Sequence, residues 1–82
     1  MDRETFYQSI KEFLRTQSPD KEIDPIGEHD NLFDAGLLDS FNMIYLILFI
    51  EELSQKEIQL ERYSPHHFHT IQRIFDEVVA TA

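Results

Sequence analysis

Apolar residues recur at helical spacing near both ends of the chain. Phe6, Ile10, Phe13 and Leu14 fall at i, i+4, i+7 and i+8, one stripe of a helix with 3.6 residues per turn. Asp2 is placed to cap its start, and Glu4 suits the positive end of the helix dipole. Ser18-Pro19 ends it, because the residue before a proline is pushed out of the α region. Near the other end, Ile71, Ile74, Phe75, Val78 and Val79 repeat at i, i+3, i+4, i+7 and i+8 behind Thr70, a good N-cap. A third apolar run extends from Phe41 to Ile50, and period alone leaves it open between a buried strand and a helix. Its continuation into EELSQK is helix-favouring and too long for an ordinary strand. The pattern therefore predicts a helix from Asp39-Ser40 to about Gln55. Met43, Leu46, Ile47, Ile50 and Leu53 share its core sector. Phe41, Ile44, Tyr45 and Leu48 lie on another side, among Ser40, Glu51 and Glu52. This helix is more apolar than one buried face requires.

From about Ser18 to Asp39 there is no sustained period, and Pro19, Pro25, Gly27 and Gly36 interrupt the chain. A structureless connection of about 20 residues is unusual in a compact domain unless it is functional or pinned by its own side chains. Ile23, Ile26, Leu32, Phe33, Leu37 and Leu38 are available as pins, so an ordered, core-anchored loop is expected, with a short helical turn near Asp30 to Phe33. After Ile58, the segment ERYSPHHF reads as one helical turn or an irregular link. The fold expected is all-α: a small four-helix bundle with a long, ordered loop between helices one and two, as a single domain over residues 1–82. No internal repeat or low-complexity segment interrupts this reading.

Composition narrows the function classes. The chain has 82 residues and a formal charge of −9, from 16 acidic and 7 basic side chains. Nucleic-acid binding needs a basic face, which this balance opposes. Basic protein surfaces are the natural partners, although acidity can also serve solubility alone. There is no cysteine, so disulfides and Cys-based zinc sites are excluded and any thioester chemistry needs a thiol added after translation. The start MDRETFYQSI does not read as a signal peptide, and the longest apolar stretch is shorter than the roughly 20 residues of a membrane span. A cytoplasmic protein without a membrane span is expected.

The candidate chemistry is a hydroxyl, that of Ser40. A serine at a helix start stands beside backbone N–H groups that the helix leaves unpaired. A phosphodiester formed there is favoured by the helix N-terminus. Gly36 is expected to allow a close approach of loop to helix. Ser40 also fits the plainer role of an N-cap. Asp39 and Phe41 flank it in place of the glycines of a hydrolase nucleophile elbow.

The stretch Asp30 to Leu53, DNLFDAGLLDSFNMIYLILFIEEL, resembles the phosphopantetheine-attachment region of acyl and peptidyl carrier proteins. The matching parts are Leu32-Phe33, then Gly36-Leu37-Leu38, then Asp39-Ser40-Phe41 opening a helix. The string LFDAGLLDS looks most like D-alanyl carrier proteins and other stand-alone aminoacyl carriers, and the order of elements matches over nearly the whole chain. The resemblance implies a covalent 4′-phosphopantetheine arm on Ser40, with Asp39 read by the phosphopantetheinyl transferase. It also implies a loading ligase or synthetase, downstream acyl-transfer enzymes, and a monomer that is not itself an enzyme. Fatty-acid-type carriers usually place acids along this edge of the helix and often read Asp-Ser-Leu-Asp; here Asn42 and Tyr45 are neutral. That points to a dedicated partner with a more apolar docking surface. Ser54 stands where the family usually has an apolar residue, with Leu53 as its substitute.

Phe41, Ile44, Tyr45 and Leu48 are the candidate partner surface, with Glu51, Glu52 and Asp39 as its charged rim. The aromatic pair favours partner contact, while for Ile44 and Leu48 extra core packing fits equally. His66, His67 and His69 read as a surface cluster anchored by a buried Phe68 rather than as metal ligands. Their titration near neutrality is a candidate source of pH-sensitive docking. The competing function is a helical protein–protein interaction module without a prosthetic group.

Overall fold

The computed structural model describes residues 2–80. Helix α1 spans Arg3–Gln17. The Asp2 carboxylate accepts from the Thr5 N–H at 2.7 Å, and Ser18 closes the helix with its own N–H on the Leu14 carbonyl. The expected stripe points inward: Phe6, Ile10 and Leu14 are buried, and Phe13 is half-buried. Lys11 lies inside as well, 6% exposed. Its ammonium donates to the Asp24 carbonyl at 2.7 Å and to the Tyr7 hydroxyl at 3.3 Å, while that hydroxyl donates to the Ile26 carbonyl at 2.5 Å. Burying a cation is tolerable when its protons find acceptors, and here they fasten the long loop onto α1.

That loop is ordered, as its apolar residues predict. Ile23, Leu32, Leu37 and Leu38 are buried, and Ile26 and Phe33 half-buried. One helical turn occurs, slightly later than expected, at residues 32–36. Asn31 opens it by accepting the N–H groups of Phe33 and Asp34. The Gly36 N–H donates to the Phe33 carbonyl and the Leu37 N–H to the Leu32 carbonyl. This is the Schellman closure, with Leu32 and Leu37 as its apolar pair. Gly36 has φ +74°, a conformation costly for any residue with a Cβ. A Cβ there would meet only the tip of Lys21, at 3.3 Å. The glycine is needed for its backbone angle, then, rather than for the close approach expected from the sequence.

Helix α2 spans Met43–Ser54 and buries Leu46, Ile47 and Ile50, with Met43 and Leu53 half-buried. Its regular part begins three residues after Ser40; residues 40–42 form a turn that leads into it. Gln55, at φ +56°, ends it. Ser54 turns its hydroxyl back onto the Ile50 carbonyl at 2.8 Å, which lets a polar residue occupy a half-buried position.

Three helices are present among the described residues, where four were expected. In place of the short third helix the chain makes two 3₁₀ turns, Leu60–Arg62 and Pro65–Phe68, the second anchored by the buried Phe68. Pro65 and the run of aromatic side chains limit the length of helix available here. Helix α3 starts at Ile71, where the Thr70 hydroxyl accepts from the Arg73 N–H at 3.0 Å. After Arg73 it widens into a π-helical stretch, Ile74–Val79, closed by the Ala80 N–H on the Phe75 carbonyl. Ile71, Ile74, Val78 and Val79 are buried. Among the described residues there is no strand, and no helix is long and apolar enough to cross a membrane.

Ring contacts tie the elements together. Phe6 of α1 meets Phe75 at 5.4 Å, and Phe13 meets Phe49 of α2 at 5.0 Å. The loop is held to the start of α3 by the Leu32 N–H on the His69 carbonyl at 2.6 Å and the Gln72 N–H on the Glu28 carbonyl at 2.9 Å. The radius of gyration is 11.6 Å, close to the roughly 12 Å of a compact chain of this length.

Candidate functional site

The buried pair Leu37 and Leu38 delivers the chain to the surface at Asp39. One Asp39 carboxylate oxygen accepts from the N–H groups of Phe41 at 2.8 Å and Asn42 at 2.9 Å, while its own carbonyl accepts from the Met43 N–H at 3.0 Å. In return the Asn42 side-chain oxygen accepts from the Asp39 N–H at 2.7 Å, and its amide donates to the Leu37 carbonyl at 3.4 Å. This reciprocal arrangement is a capping box made with Asp and Asn. Asn42, a neutral departure at the level of sequence, is thus a structural residue. The spacing Asp-x-x-Asn at a helix start was the available signal.

Ser40 sits inside this cap and is exposed. Asp39 caps the turn of residues 40–42, and the N-cap position of α2 is Asn42, so the Ser40 hydroxyl is not the N-cap oxygen of α2. The cap also changes the electrostatics expected for this serine. The N–H groups of Phe41 and Asn42, in the turn before α2, face the Asp39 carboxylate and are not open to an anion on Ser40. A phosphate on that hydroxyl would stand in solvent beside Asp39, without those backbone donors.

Next to Ser40 the exposed side of α2 is apolar. Phe41 is 72% exposed, Ile44 51%, Tyr45 49% and Leu48 56%. Extra core packing, the alternative for Ile44 and Leu48, does not occur. The Phe41 and Tyr45 rings meet edge to face, with centroids 5.9 Å apart, which holds two aromatic faces side by side in solvent. Glu52 is exposed. Glu51 is drawn inward, its carboxylate accepting the Ile58 N–H at 2.7 Å, so it ties down the connection after α2. Between Lys21 and Lys56 the sequence has eight acids, Glu22, Asp24, Glu28, Asp30, Asp34, Asp39, Glu51 and Glu52, and neither lysine nor arginine.

The histidines lie on the second 3₁₀ turn. His66 and His67 stack at 4.8 Å. The Ser64 hydroxyl is 2.8 Å from His66 Nδ1 and 3.1 Å from His67 Nδ1. His69 turns its ring to Phe33 at 4.9 Å. Among the described residues no three His, Cys, Asp or Glu side chains gather in a way that could hold a metal ion. Ser40 lines neither the surface cleft beside Arg15 and the Ser18–Pro25 segment nor the one beside Leu53, Phe75 and Val79.

What the site offers chemically is an exposed primary hydroxyl on a hydrogen-bonded turn before α2, bordered by a row of solvent-facing apolar side chains and by acids. No family model, curated protein or solved structure matches the chain.

Proposed function

We propose that this chain is a carrier protein of the acyl or peptidyl type, with Ser40 esterified by 4′-phosphopantetheine from coenzyme A. It would hold an acyl or aminoacyl group as a thioester and present it to partner enzymes. The observation that carries the reading is the exposure of Ser40 on the turn that leads into α2, a turn capped by Asp39 and not by Ser40. A hydroxyl so placed is accessible to a transferase and is not required to hold the helix together. When attached, the group supplies the thiol that this cysteine-free chain lacks. Asp39 and Asn42 fix the backbone around the attachment point, and tethering raises the effective concentration of cargo at each partner.

The order of elements agrees with this reading. A long first helix, an ordered loop, a helix opened at Asp39 and a last helix capped by Thr70 follow the arrangement of a four-helix carrier, with the two 3₁₀ turns standing where its short third helix falls. The partners are a phosphopantetheinyl transferase, a loading ligase or synthetase, and downstream acyl-transfer enzymes. Phe41, Ile44, Tyr45 and Leu48 form the docking row, and the acids around it suit partners with an apolar centre and a basic rim. The chain acts as a cytoplasmic monomer and catalyses nothing itself.

The same exposed row favours a second reading, an interaction module that binds a partner helix without any prosthetic group. Incubation with coenzyme A, magnesium and a broad-specificity transferase, followed by intact-mass measurement, separates the two. A carrier gains one phosphopantetheine and Ser40→Ala gains none. A wild-type mass that does not change rejects the carrier, and partner binding undiminished in Ser40→Ala then identifies the module.

A further inference from the structure

His67 does more than sit on the surface. Its Nδ1 accepts the Ser64 N–H at 3.0 Å, while the Ser64 hydroxyl accepts the His67 N–H. The pair forms a capping box in which an imidazole stands where a Glu or Gln side chain is usual. Accepting that bond takes a lone pair on Nδ1, which a neutral ring with its proton on Nε2 supplies. Nε2 in turn faces a Glu77 carboxylate oxygen at 3.7 Å.

We infer that His67 is a proton-sensitive cap, and that acid loosens the Pro65–Phe68 turn and, through it, the loop that leads to Ser40. Protonation of Nδ1 removes the lone pair that the Ser64 N–H uses. The new Nδ1–H turns to the Ser64 carbonyl, 3.2 Å away, or to the Ser64 hydroxyl, leaving the Ser64 N–H without its acceptor. Histidine makes this change between about pH 5 and pH 8. The groups facing the ring pull in both directions. Glu77 attracts a charged ring. Stacked His66 opposes it once it is itself protonated. Arg73 adds a cation nearby, 3.5 Å from the other Glu77 oxygen and donating to the His66 carbonyl at 3.2 Å. Tyr63 meets it with a ring edge, with centroids 5.5 Å apart.

The turn is mechanically connected to the loop. His69, one residue past the turn, accepts the Leu32 N–H on its carbonyl at 2.6 Å and packs its ring on Phe33. Leu32 and Phe33 belong to the Gly36-closed turn, four residues before Ser40. A shift in the Ser64–His67 cap therefore reaches Leu32 through His69.

The test is a pH titration of the protein by ¹⁵N–¹H NMR, between about pH 7.5 and about pH 5.5, on the wild type, His67→Asn and His66→Asn. Asn keeps an acceptor near the Nδ1 position and cannot titrate. In the wild type and in His66→Asn, the Ser64 and Leu32 amide signals should move together with the His67 ring; in His67→Asn that movement should be lost. Equal movement in His67→Asn and wild type overturns the inference. So does a wild-type His67 whose ring nitrogen shifts place the proton on Nδ1 at the upper pH, a reading that needs no variant to fold.

Discussion

Asp39 and Asn42 cap each other. The carboxylate of Asp39 takes the Asn42 N–H at 2.9 Å, and the Asn42 side-chain oxygen takes the Asp39 N–H at 2.7 Å. Ser40 stands between them, so the backbone that presents its hydroxyl is fixed at both ends by side chains next to it. Asn42→Ala should lower stability by about 1 kcal/mol, the usual cost of a lost cap. Asn42→Asp keeps the acceptor for the Asp39 N–H but loses the donor to the Leu37 carbonyl and sets a second carboxylate beside Asp39, so it should restore only part of that loss. Urea denaturation measures both, and an alanine variant with an unchanged midpoint would show that the box carries no weight.

Gly36 should resist replacement because of its backbone angle. At φ +74° an alanine pays about 1–2 kcal/mol in backbone conformation. The room around it is adequate apart from a mobile lysine tip, so Gly36→Ala should fold with a lowered thermal midpoint. Gly27, which has no positive φ, should accept alanine with a much smaller change.

The exposed side of α2 should separate stability from partner binding. Substitution of Leu48 by Ser, or of Phe41 by Ala, removes contacts that lie mostly in solvent, and the change in unfolding free energy should stay within about 0.5 kcal/mol. Partner docking, read as the rate of transferase modification or of subsequent loading, should fall at least several-fold. A variant that loses stability and keeps its rate would place these side chains in the core's service instead.

Acid should weaken the fold through three surface carboxylates. A hydrogen bond from Arg15 holds Asp24 below its ordinary value. The Thr5 backbone N–H does the same for Asp2, and the Gln72 side chain, followed by Arg3, for Asp76. A carboxylate held low when folded binds protons less readily than in the unfolded chain. Its contribution is therefore present above the unfolded value of 3.8 and is lost as the pH falls through the lower folded value. These groups are exposed, so screening keeps each effect small. Thermal midpoints at about pH 6 and about pH 3 should differ more between wild type and Asp24→Asn at the higher pH than at the lower.

The helices were legible because burial imposes a period. Phe6, Ile10 and Leu14 in α1 and Leu46, Ile47 and Ile50 in α2 lie where a 3.6-residue repeat puts them, and Ile71, Ile74 and Val78 are buried although the chain widens to a π-helix there. The caps at Asp2 and Thr70 were equally local. Three features were less legible. The start of α2 depends on a turn that two side chains close across it, Gly36 acts through a backbone angle rather than through space, and the segment before α3 forms two short turns instead of a helix. In each case, which donor meets which acceptor is a matter of geometry that residue type leaves open.

The sequence alone determined an all-helical chain, its helical stripes and an ordered loop, because burying apolar surface and satisfying helix ends are constraints that neighbouring residues express directly. It also supplied the serine on which the proposed function rests. Only the tertiary structure decided that Phe41, Ile44, Tyr45 and Leu48 face solvent, that Glu51 turns inward, and that Asp39 occupies the backbone donors of the turn beside Ser40. A helix that is apolar on more than one side can bury either side, and the choice belongs to whatever packs against it.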